Sequence, residues 1–172
     1  MKKLVILFAS MFIMTIAVQN VNAQNTDTET GDASATIIET LTITKNLELR
    51  FGVFQAPASQ TDLVITPGSV LTLNGITHFG NHQAGTFDVA GAPNATYAIT
   101  LPSNGTVILS PVSGAAPAMA VKDFTSNPTP TGTLDNSGAQ SISVGATLVV
   151  GDNTIQLPGL YKGTYDVTVT YN

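Results

Sequence analysis

The 172-residue sequence contains no cysteine and no tryptophan, and only 10% of its residues are charged. The lack of cysteine excludes disulfides, thiolate metal sites and thiol catalysis. So few titratable side chains are a poor basis for an enzyme. An apolar stripe of helical period is also missing, so we predict no long helix. What remains is rich in threonine, glycine and short apolar alternations, which is typical of β-sheet proteins.

The longest apolar run is at the N-terminus. Lys2 and Lys3 precede residues 4–18, which are uncharged, and Ala23 follows in a small-residue pattern. The run is shorter than the roughly 20 residues that cross a bilayer. The pattern is typical of a secretory signal peptide, so we predict cleavage after residues 1–23 and export to the periplasm, cell surface or extracellular space. The mature chain then has no transmembrane segment.

The mature chain is acidic. Without Lys2 and Lys3, four Lys and Arg residues face 11 Asp and Glu residues, which is a net charge of −7. A negative surface repels phosphate groups, so we expect neither nucleic acid nor anionic membrane as a partner.

The mature chain begins with a polar stretch, after which apolar and polar residues alternate. "QNTDTETGDAS", residues 24–34, has no apolar pattern and predicts a flexible leader. In the following "ATIIETLTITKNLELRF", the apolar side chains share one parity, interrupted by Glu39 and Lys45. This predicts two consecutive strands, or one strand bent near Lys45–Asn46, with Gly52 following as a bulge or turn.

About nine short strands, within a range of roughly 7 to 10, follow each other between Gly, Pro and Asn residues. "PGS", residues 67–69, predicts a turn, and Asn74–Gly75 predicts a hairpin. "TSNPTPTGTLDNSG", residues 125–138, predicts a surface loop. The pattern predicts an all-β fold: residues 35–172 form a single antiparallel, immunoglobulin-like β-sandwich domain.

Residues suited to catalysis or metal binding are few and scattered. His78 and His82 lie in "HFGNH", where Gly80 and Asn81 indicate a turn and no neighbouring glutamate completes a zinc motif. No serine elbow and no paired carboxylates occur. We therefore predict no catalytic residues, no cofactor, no metal site and no enzymatic activity.

The C-terminal stretch "GLYKGTYDVTVTYN" alternates up to the penultimate residue. Tyr165, Val167, Val169 and Tyr171 share one parity, and polar residues hold the other. This predicts a half-buried C-terminal edge strand. Chain ends usually fray unless a sheet holds them, so this end is expected to be tied down.

Three stretches resemble the secreted bacterial family called domain of unknown function 4402. They are "ATIIETLTITKNLELRFGVF", "GTFDVAGAPNATYAITLP" and "GLYKGTYDVTVTY". More distantly, the layout is similar to chaperone-usher pilins and spore-coat-U-like subunits. Those chains end in a strand with a penultimate Tyr and a Gly fourteen residues from the end, positions that Tyr171 and Gly159 hold here. The resemblance implies a pilin-like sandwich.

Pilin-like subunits lack one strand and receive it from a neighbour's N-terminal extension. The resemblance therefore implies strand addition between copies or related subunits, with a periplasmic chaperone as a further partner. Ile37, Leu41 and Ile43 are the candidate donor positions. The alternative is that this segment completes the sandwich of its own chain, because Glu39 interrupts its alternation and the pilin disulfide is missing.

Two functions follow. The first is an exported, non-enzymatic structural or cell-surface protein, fimbria-like, that assembles by strand addition. The alternative is a secreted binding module for a glycan, ion or protein ligand, acting as a self-complete monomer through loops 76–86 or 125–138.

Overall fold

The structure is a computed structural model that describes residues 26–172, so the predicted signal peptide, residues 1–23, lies outside the described residues. The chain divides into two units, Met1–Ala35 and Thr36–Asn172. In the first unit, residues 26–35 are exposed and have no regular secondary structure. The second unit contains all the strands. Within residues 26–172, no helix is long and apolar enough to cross a membrane.

The fold is all-β and antiparallel, as predicted. The described residues form thirteen strands, of which nine are three residues or longer: β1 (Thr42–Leu47), β2 (Val53–Phe54), β3 (Thr61–Ile65), β4 (Leu71–Thr72), β5 (His78–Phe79), β6 (Gly85–Ala90), β7 (Thr96–Thr100), β8 (Val107–Pro111), β9 (Met119–Asn127), β10 (Thr131–Thr133), β11 (Ala139–Val150), β12 (Tyr161–Lys162) and β13 (Thr168–Tyr171).

The strands form one large sheet, one small sheet and a two-stranded ribbon. The large sheet has the order β1-β6-β11-β9-β8-β12, and β3 pairs with both β11 and β4. The small sheet has the order β10-β7-β13, and the ribbon pairs β2 with β5. The architecture is a curled, β-sandwich-like arrangement.

Strand β11 organises the large sheet because it changes partner halfway along. Its first half pairs with β6 up to Val144, and its second half pairs with β3 from Ala146 onward. Gly145 lies between the two halves, and the register with β9 on the other side shifts directly after it. Because this long strand pairs first with one neighbour and then with another, one sheet can cover two cores.

Two apolar clusters fill the interior. The first contains Phe51, Leu63, Ile65, Ile76, Ala84, Val107, Met119, Val121, Ala146, Leu148 and Val150. The second contains Phe87, Val89, Tyr97, Ile99, Leu134, Ile142 and Val144. The partly buried rings of Phe124 and Tyr165 pack against both clusters and so join them.

The first predicted strand region forms one regular strand rather than two. Strand β1 pairs with β6 from Thr42 to Leu47, and its register shifts between Lys45 and Leu47, close to the predicted bend. From residue 48 to residue 51 the only pairing in the structure is an isolated bridge between Arg50 and Gln83. The alternative with a separate second strand is therefore wrong, because β6 begins at Gly85 and offers no further ladder, whereas the register shift agrees with one strand bent near Lys45–Asn46. Gly52 has φ +87°, as its predicted turn requires.

Two local predictions need correction. Asn74 and Gly75 both have positive φ and form the predicted tight turn, but the flanking strands pair elsewhere, β4 with β3 and β5 with β2. Residues 125–138 are not one surface loop, because they contain the end of β9, all of β10 and the buried Leu134. The prolines in this stretch led to the prediction of a loop, although the short strand β10 pairs with β7 through Thr131–Thr133. The "PGS" turn forms as predicted, between β3 and β4.

Candidate functional site

The C-terminal segment crosses from one sheet to the other. Strand β12 pairs with β8 in the large sheet, opposite Pro111 and Ser110. Strand β13 pairs with β7 in the small sheet, with Val169 opposite Ile99. Between them, residues 163–167 have no regular secondary structure. The alternation of residues 165–171 predicts a single strand, but the ladder includes only its last part because β7 ends at Thr100.

Every second side chain of residues 165–171 nevertheless points inward, including those in residues 165–167, which lie outside β13. The half-buried side chains of Tyr165, Val167, Val169 and Tyr171 all pack against the second core cluster, whereas Asp166, Thr168 and Thr170 are exposed. The segment thus packs along one side of the second core.

The outer edge of β13 is free of a partner strand within residues 26–172. Strand β13 is an outermost strand of its sheet. The amide of Asn172 donates to the Thr96 carbonyl at 3.2 Å, so it points toward β7. Because successive residues of a strand point their backbone groups to opposite sides, the amides of Val169 and Tyr171 point away from β7. These groups form an unpaired edge of the kind that accepts a further strand.

The penultimate Tyr171 is tied down by its hydroxyl. This hydroxyl accepts a hydrogen bond from the Ala92 amide at 2.7 Å and donates one to the Glu39 carbonyl at 2.9 Å. A Cβ on Gly91 would lie 2.2 Å from the same oxygen, so the turn after β6 needs glycine there. Tyr171 therefore connects the last strand, this turn and the segment ahead of β1.

Tyr165 occupies the junction of the two cores. Its ring lies 6.0 Å from the Phe87 ring and 5.3 Å from the Phe124 ring, measured between centroids. Its hydroxyl lies against Gly85, where a Cβ would approach it to 2.1 Å, and it has no hydrogen-bond partner among the described residues. Burial raises the pKa of Tyr165 to about 12. Sequence reasoning missed both Gly85, the first residue of β6, and Gly91, which directly follows β6.

The raised pKa of Tyr165 predicts a loss of stability in alkali. An unfolded tyrosine ionises near pH 10, whereas the folded one holds its proton to about pH 12. Its contribution is therefore complete below about pH 10 and is lost as the pH rises toward about 12. We expect the urea midpoint to fall more steeply over this range for the wild type than for Tyr165→Phe. Equal slopes would contradict the assignment.

The N-terminal candidate positions divide into two groups. Leu41 and Ile43 are half-buried and pack against the second core of their own chain, and Ile43 pairs with Val89. Ile37 lies ahead of β1 and is 97% exposed, and its neighbour Ile38 is 57% exposed. Strand β1 is an outermost strand of the large sheet and contacts β13 of the small sheet.

No packing contact requires a glycine at position 159. It is exposed, and a Cβ built on it would meet nothing within 4 Å. It precedes β12 rather than β13, so it does not lie on the edge formed by the other four C-terminal candidates.

A groove of about 310 Å³ lies beside this segment, between residues 164–168 and the connection from β7 to β8. Its polar lining consists of Asp166 and five hydroxyl-bearing residues: Thr100, Ser103, Thr106, Thr164 and Thr168. The loops that sequence analysis proposed for binding, residues 76–86 and 125–138, do not line it.

The two histidines lie together. The ring centroids of His78 and His82 are 5.4 Å apart, and the His78 Nε2 lies 2.9 Å from the Phe51 carbonyl oxygen. No group of three or more His, Cys, Asp or Glu residues within residues 26–172 is arranged to hold a metal ion. The histidine pair packs on Gly52, where a Cβ would meet His78 at 2.3 Å.

A family model described as a domain of unknown function (DUF4402) matches residues 41–171. The chain belongs to the DUF4402 family. No curated protein matches it. The match starts at Leu41 and stops at Tyr171, so the DUF4402 domain includes both β1 and β13, the outermost strands that meet at one side of the sandwich. The more distant resemblance to chaperone-usher pilins stays a prediction.

Proposed function

We propose that this DUF4402 protein is an exported, non-enzymatic structural protein that joins neighbouring subunits by adding a strand to the free edge of β13. The observation that carries the proposal is this edge: outward backbone amides at Val169 and Tyr171, on a strand whose inward side chains are half-buried against the second core. The charged N-terminal pattern of residues 1–23 supports export. The partner strand comes from another copy or a related subunit.

The physical gain of such an addition comes from two sources. A new strand would pair backbone groups that now face solvent, each net hydrogen bond being worth about 0.5–1.5 kcal/mol. It would also remove apolar surface of Val167, Val169 and Tyr171 from water, at about 25 cal/mol per Å². Residues 163–167 extend the edge beyond β13 and have no ladder of their own. A partner strand can therefore order them as well.

The first strand sets a limit on which segment is donated. Leu41 and Ile43 already fill the second core of their own chain, and β1 is paired with β6 over its whole length. Donating them to a neighbour would cost these contacts first. Ile37 and Ile38 lie outside any ladder and are exposed, so they are available without such a loss.

The test uses the direction of the backbone amides in β13. Proline removes an amide and is tolerated in an edge strand where that amide faces solvent. Val169→Pro is therefore expected to abolish concentration-dependent association of the mature chain, with an unfolding midpoint close to that of Val169→Ala, because both substitutions remove valine contacts with the second core. Sedimentation velocity and urea unfolding measure the two effects.

Two variants control for packing and for the direction of the amide. Val169→Ala removes apolar contacts but keeps the outward amide, so association should weaken without disappearing. Thr170→Pro removes an amide that points to β7, so it should destabilise the fold itself. A Val169→Pro protein that associates like the wild type, or a wild type that stays monomeric at every concentration, would refute strand addition at this edge.

The groove beside residues 164–168 favours a second function, a binding module. Its five hydroxyls and one carboxylate are donors and acceptors suited to a small polar ligand such as a sugar. Calorimetric titration of the mature chain with a panel of saccharides tests this function. Binding that Asp166→Ala removes, with association unchanged, would favour the module over the subunit.

A further inference from the structure

His78 and His82 are the only histidines of the chain, and they lie on the two sides of one turn. His78 is in β5, which pairs with β2, and Gly80 turns the chain with φ +72°. Gln83, directly after His82, exchanges two backbone hydrogen bonds of 2.9 Å with Arg50. Backbone pairing therefore fixes both ends of the turn, and the two rings are held close together by the fold itself.

The hydrogen bond of His78 determines which of its ring nitrogens can bind a cation. Its Nε2 lies 2.9 Å from the Phe51 carbonyl oxygen, which can only accept, so Nε2 carries the proton and Nδ1 keeps a lone pair. Histidines that bind a metal are usually oriented in this way, with the other ring nitrogen donating to a carbonyl or carboxylate. A Cβ at Gly52 would lie 2.3 Å from the same Nε2, so the glycine leaves room for this ring position.

His82 supplies a second ring nitrogen that has no partner in the fold. Its Nδ1 is buried and makes no hydrogen bond to any of the described residues. A buried polar atom without a partner is rare in folded proteins, and a bound ion is one of the groups that can satisfy it. Both histidines are half-buried, and Phe79, Gly80 and Asn81 between them are exposed. The pair therefore lies near the surface, within reach of an ion from solution.

The separation of the two rings fits a tetrahedral ion. A zinc ion lies about 2.0–2.1 Å from an imidazole nitrogen and hence about 3.2 Å from the centroid of that ring. Two imidazoles on one tetrahedral ion therefore have centroids about 5.2 Å apart, whereas neighbouring imidazoles on a square-planar ion have centroids about 4.5 Å apart. The centroids of His78 and His82 are 5.4 Å apart. This distance favours Zn²⁺, which prefers tetrahedral coordination.

The charge of the neighbouring cation is balanced within the fold. Arg50 pairs with Gln83 through its backbone, but its Nε donates to Glu48 Oε1 at 3.0 Å. The mature chain as a whole has four Lys and Arg residues against 11 Asp and Glu residues, a net charge of −7. The protein therefore attracts a divalent cation rather than repelling it.

We propose that His78 and His82 bind one Zn²⁺ ion through their Nδ1 atoms, with water completing the tetrahedral shell. Two imidazoles are fewer protein ligands than a structural zinc site has, so binding is weaker than in such a site. From the sequence, Gly80 and Asn81 indicate only a turn, and the prediction is that no metal binds. The structure shows that this turn is what brings the rings together. The site goes beyond the proposed function and does not depend on strand addition at β13.

Zinc titration of the mature chain, purified without a histidine tag, tests this site. Long-range proton–nitrogen NMR follows the imidazole rings, and the two histidines give only two sets of ring signals. We expect the Nδ1 signals of both rings to shift together and to saturate at one Zn²⁺ per chain, while His78 Nε2 keeps its proton. Mg²⁺ and Ca²⁺ prefer oxygen ligands, so they should not shift these signals.

Three variants separate the histidine pair from other sites of zinc binding. His82→Gln removes a nitrogen that has no hydrogen-bond partner, so the fold should persist while zinc affinity falls at least about 10-fold. His78→Gln should lower the affinity similarly. Asn81→Ala changes the exposed turn but keeps both imidazoles, so it should bind like the wild type. Calorimetric titration measures these affinities, and Zn²⁺ should raise the thermal midpoint of the wild type and Asn81→Ala but not of His82→Gln.

Three outcomes would overturn the proposal. No shift of either ring at excess Zn²⁺ would mean that the two imidazoles are only an edge-to-face stack. A shift of one ring alone would mean that a single surface histidine binds the ion. Equal zinc affinity of folded His82→Gln and the wild type would place the ion elsewhere in the chain. None of these outcomes involves the edge of β13, so this proposal and strand addition fail separately.

Discussion

Gly145→Ala is expected to destabilise the fold by more than about 3 kcal/mol. A Cβ at this position would lie 2.2 Å from the Ile65 carbonyl oxygen, 2.5 Å from the Thr66 carbonyl carbon and 2.7 Å from the Pro67 nitrogen. All three are backbone atoms, so no side-chain rotation relieves the overlap. The residue also lies where β11 leaves β6 and joins β3, so the strain would separate the two halves of the large sheet.

Gly159→Ala is the matched control for this prediction. No atom lies within 4 Å of its Cβ position, and its φ is not in the left-handed region. We expect its free energy of unfolding to stay within about 0.5 kcal/mol of the wild type. Urea unfolding followed by circular dichroism measures both variants. A Gly145→Ala protein as stable as Gly159→Ala would mean that the close approach of the backbone of residues 65–67 to Gly145 is not present in solution.

The second large effect separates two tyrosines of the same segment. Tyr171→Phe is expected to cost about 1–3 kcal/mol, because it leaves the part-buried Ala92 amide without its acceptor. Tyr165→Phe removes a hydroxyl that has no partner among the described residues, so it should be neutral or stabilising. The two substitutions change the same atom of the same residue type. The difference between their free energies of unfolding therefore reports the hydrogen bonds of the hydroxyl, because the ring is kept in both variants.

Equilibrium unfolding at neutral pH measures both tyrosine variants, and hydrogen exchange at Ala92 provides a local readout. We expect faster exchange of this amide in Tyr171→Phe but not in Tyr165→Phe. Equal stability of the two variants would contradict the role of the Tyr171 hydroxyl as the tie for the chain's end.

The hydroxyl of Tyr171 also fixes the approach to the first strand. It holds Glu39, which follows the exposed Ile37 and Ile38 and lies three residues before the start of β1. The segment that leads into the sandwich is thereby fixed at the side where β1 and β13 meet.

Much of the fold was predictable because alternation reports which side of a strand is buried. Residues 165–171 keep their inward parity even where no ladder forms, and Ile43 faces the core as its position in "LTIT" predicts. Glycine and proline marked most strand ends for the same local reason. The prolines near residue 130 misled the prediction, because a three-residue strand fits between them.

The sequence by itself determined the all-β class, the exposed acidic leader, the inward face of the last strand and the family, because composition and two-residue periodicity are local properties. Only the tertiary structure decided that Leu41 and Ile43 pack against the second core, that Tyr171 ties Glu39 to Ala92, and that Tyr165 lies against Gly85 between the two cores. These are contacts between residues far apart in sequence. They depend on which strands pair, and no local pattern specifies that choice.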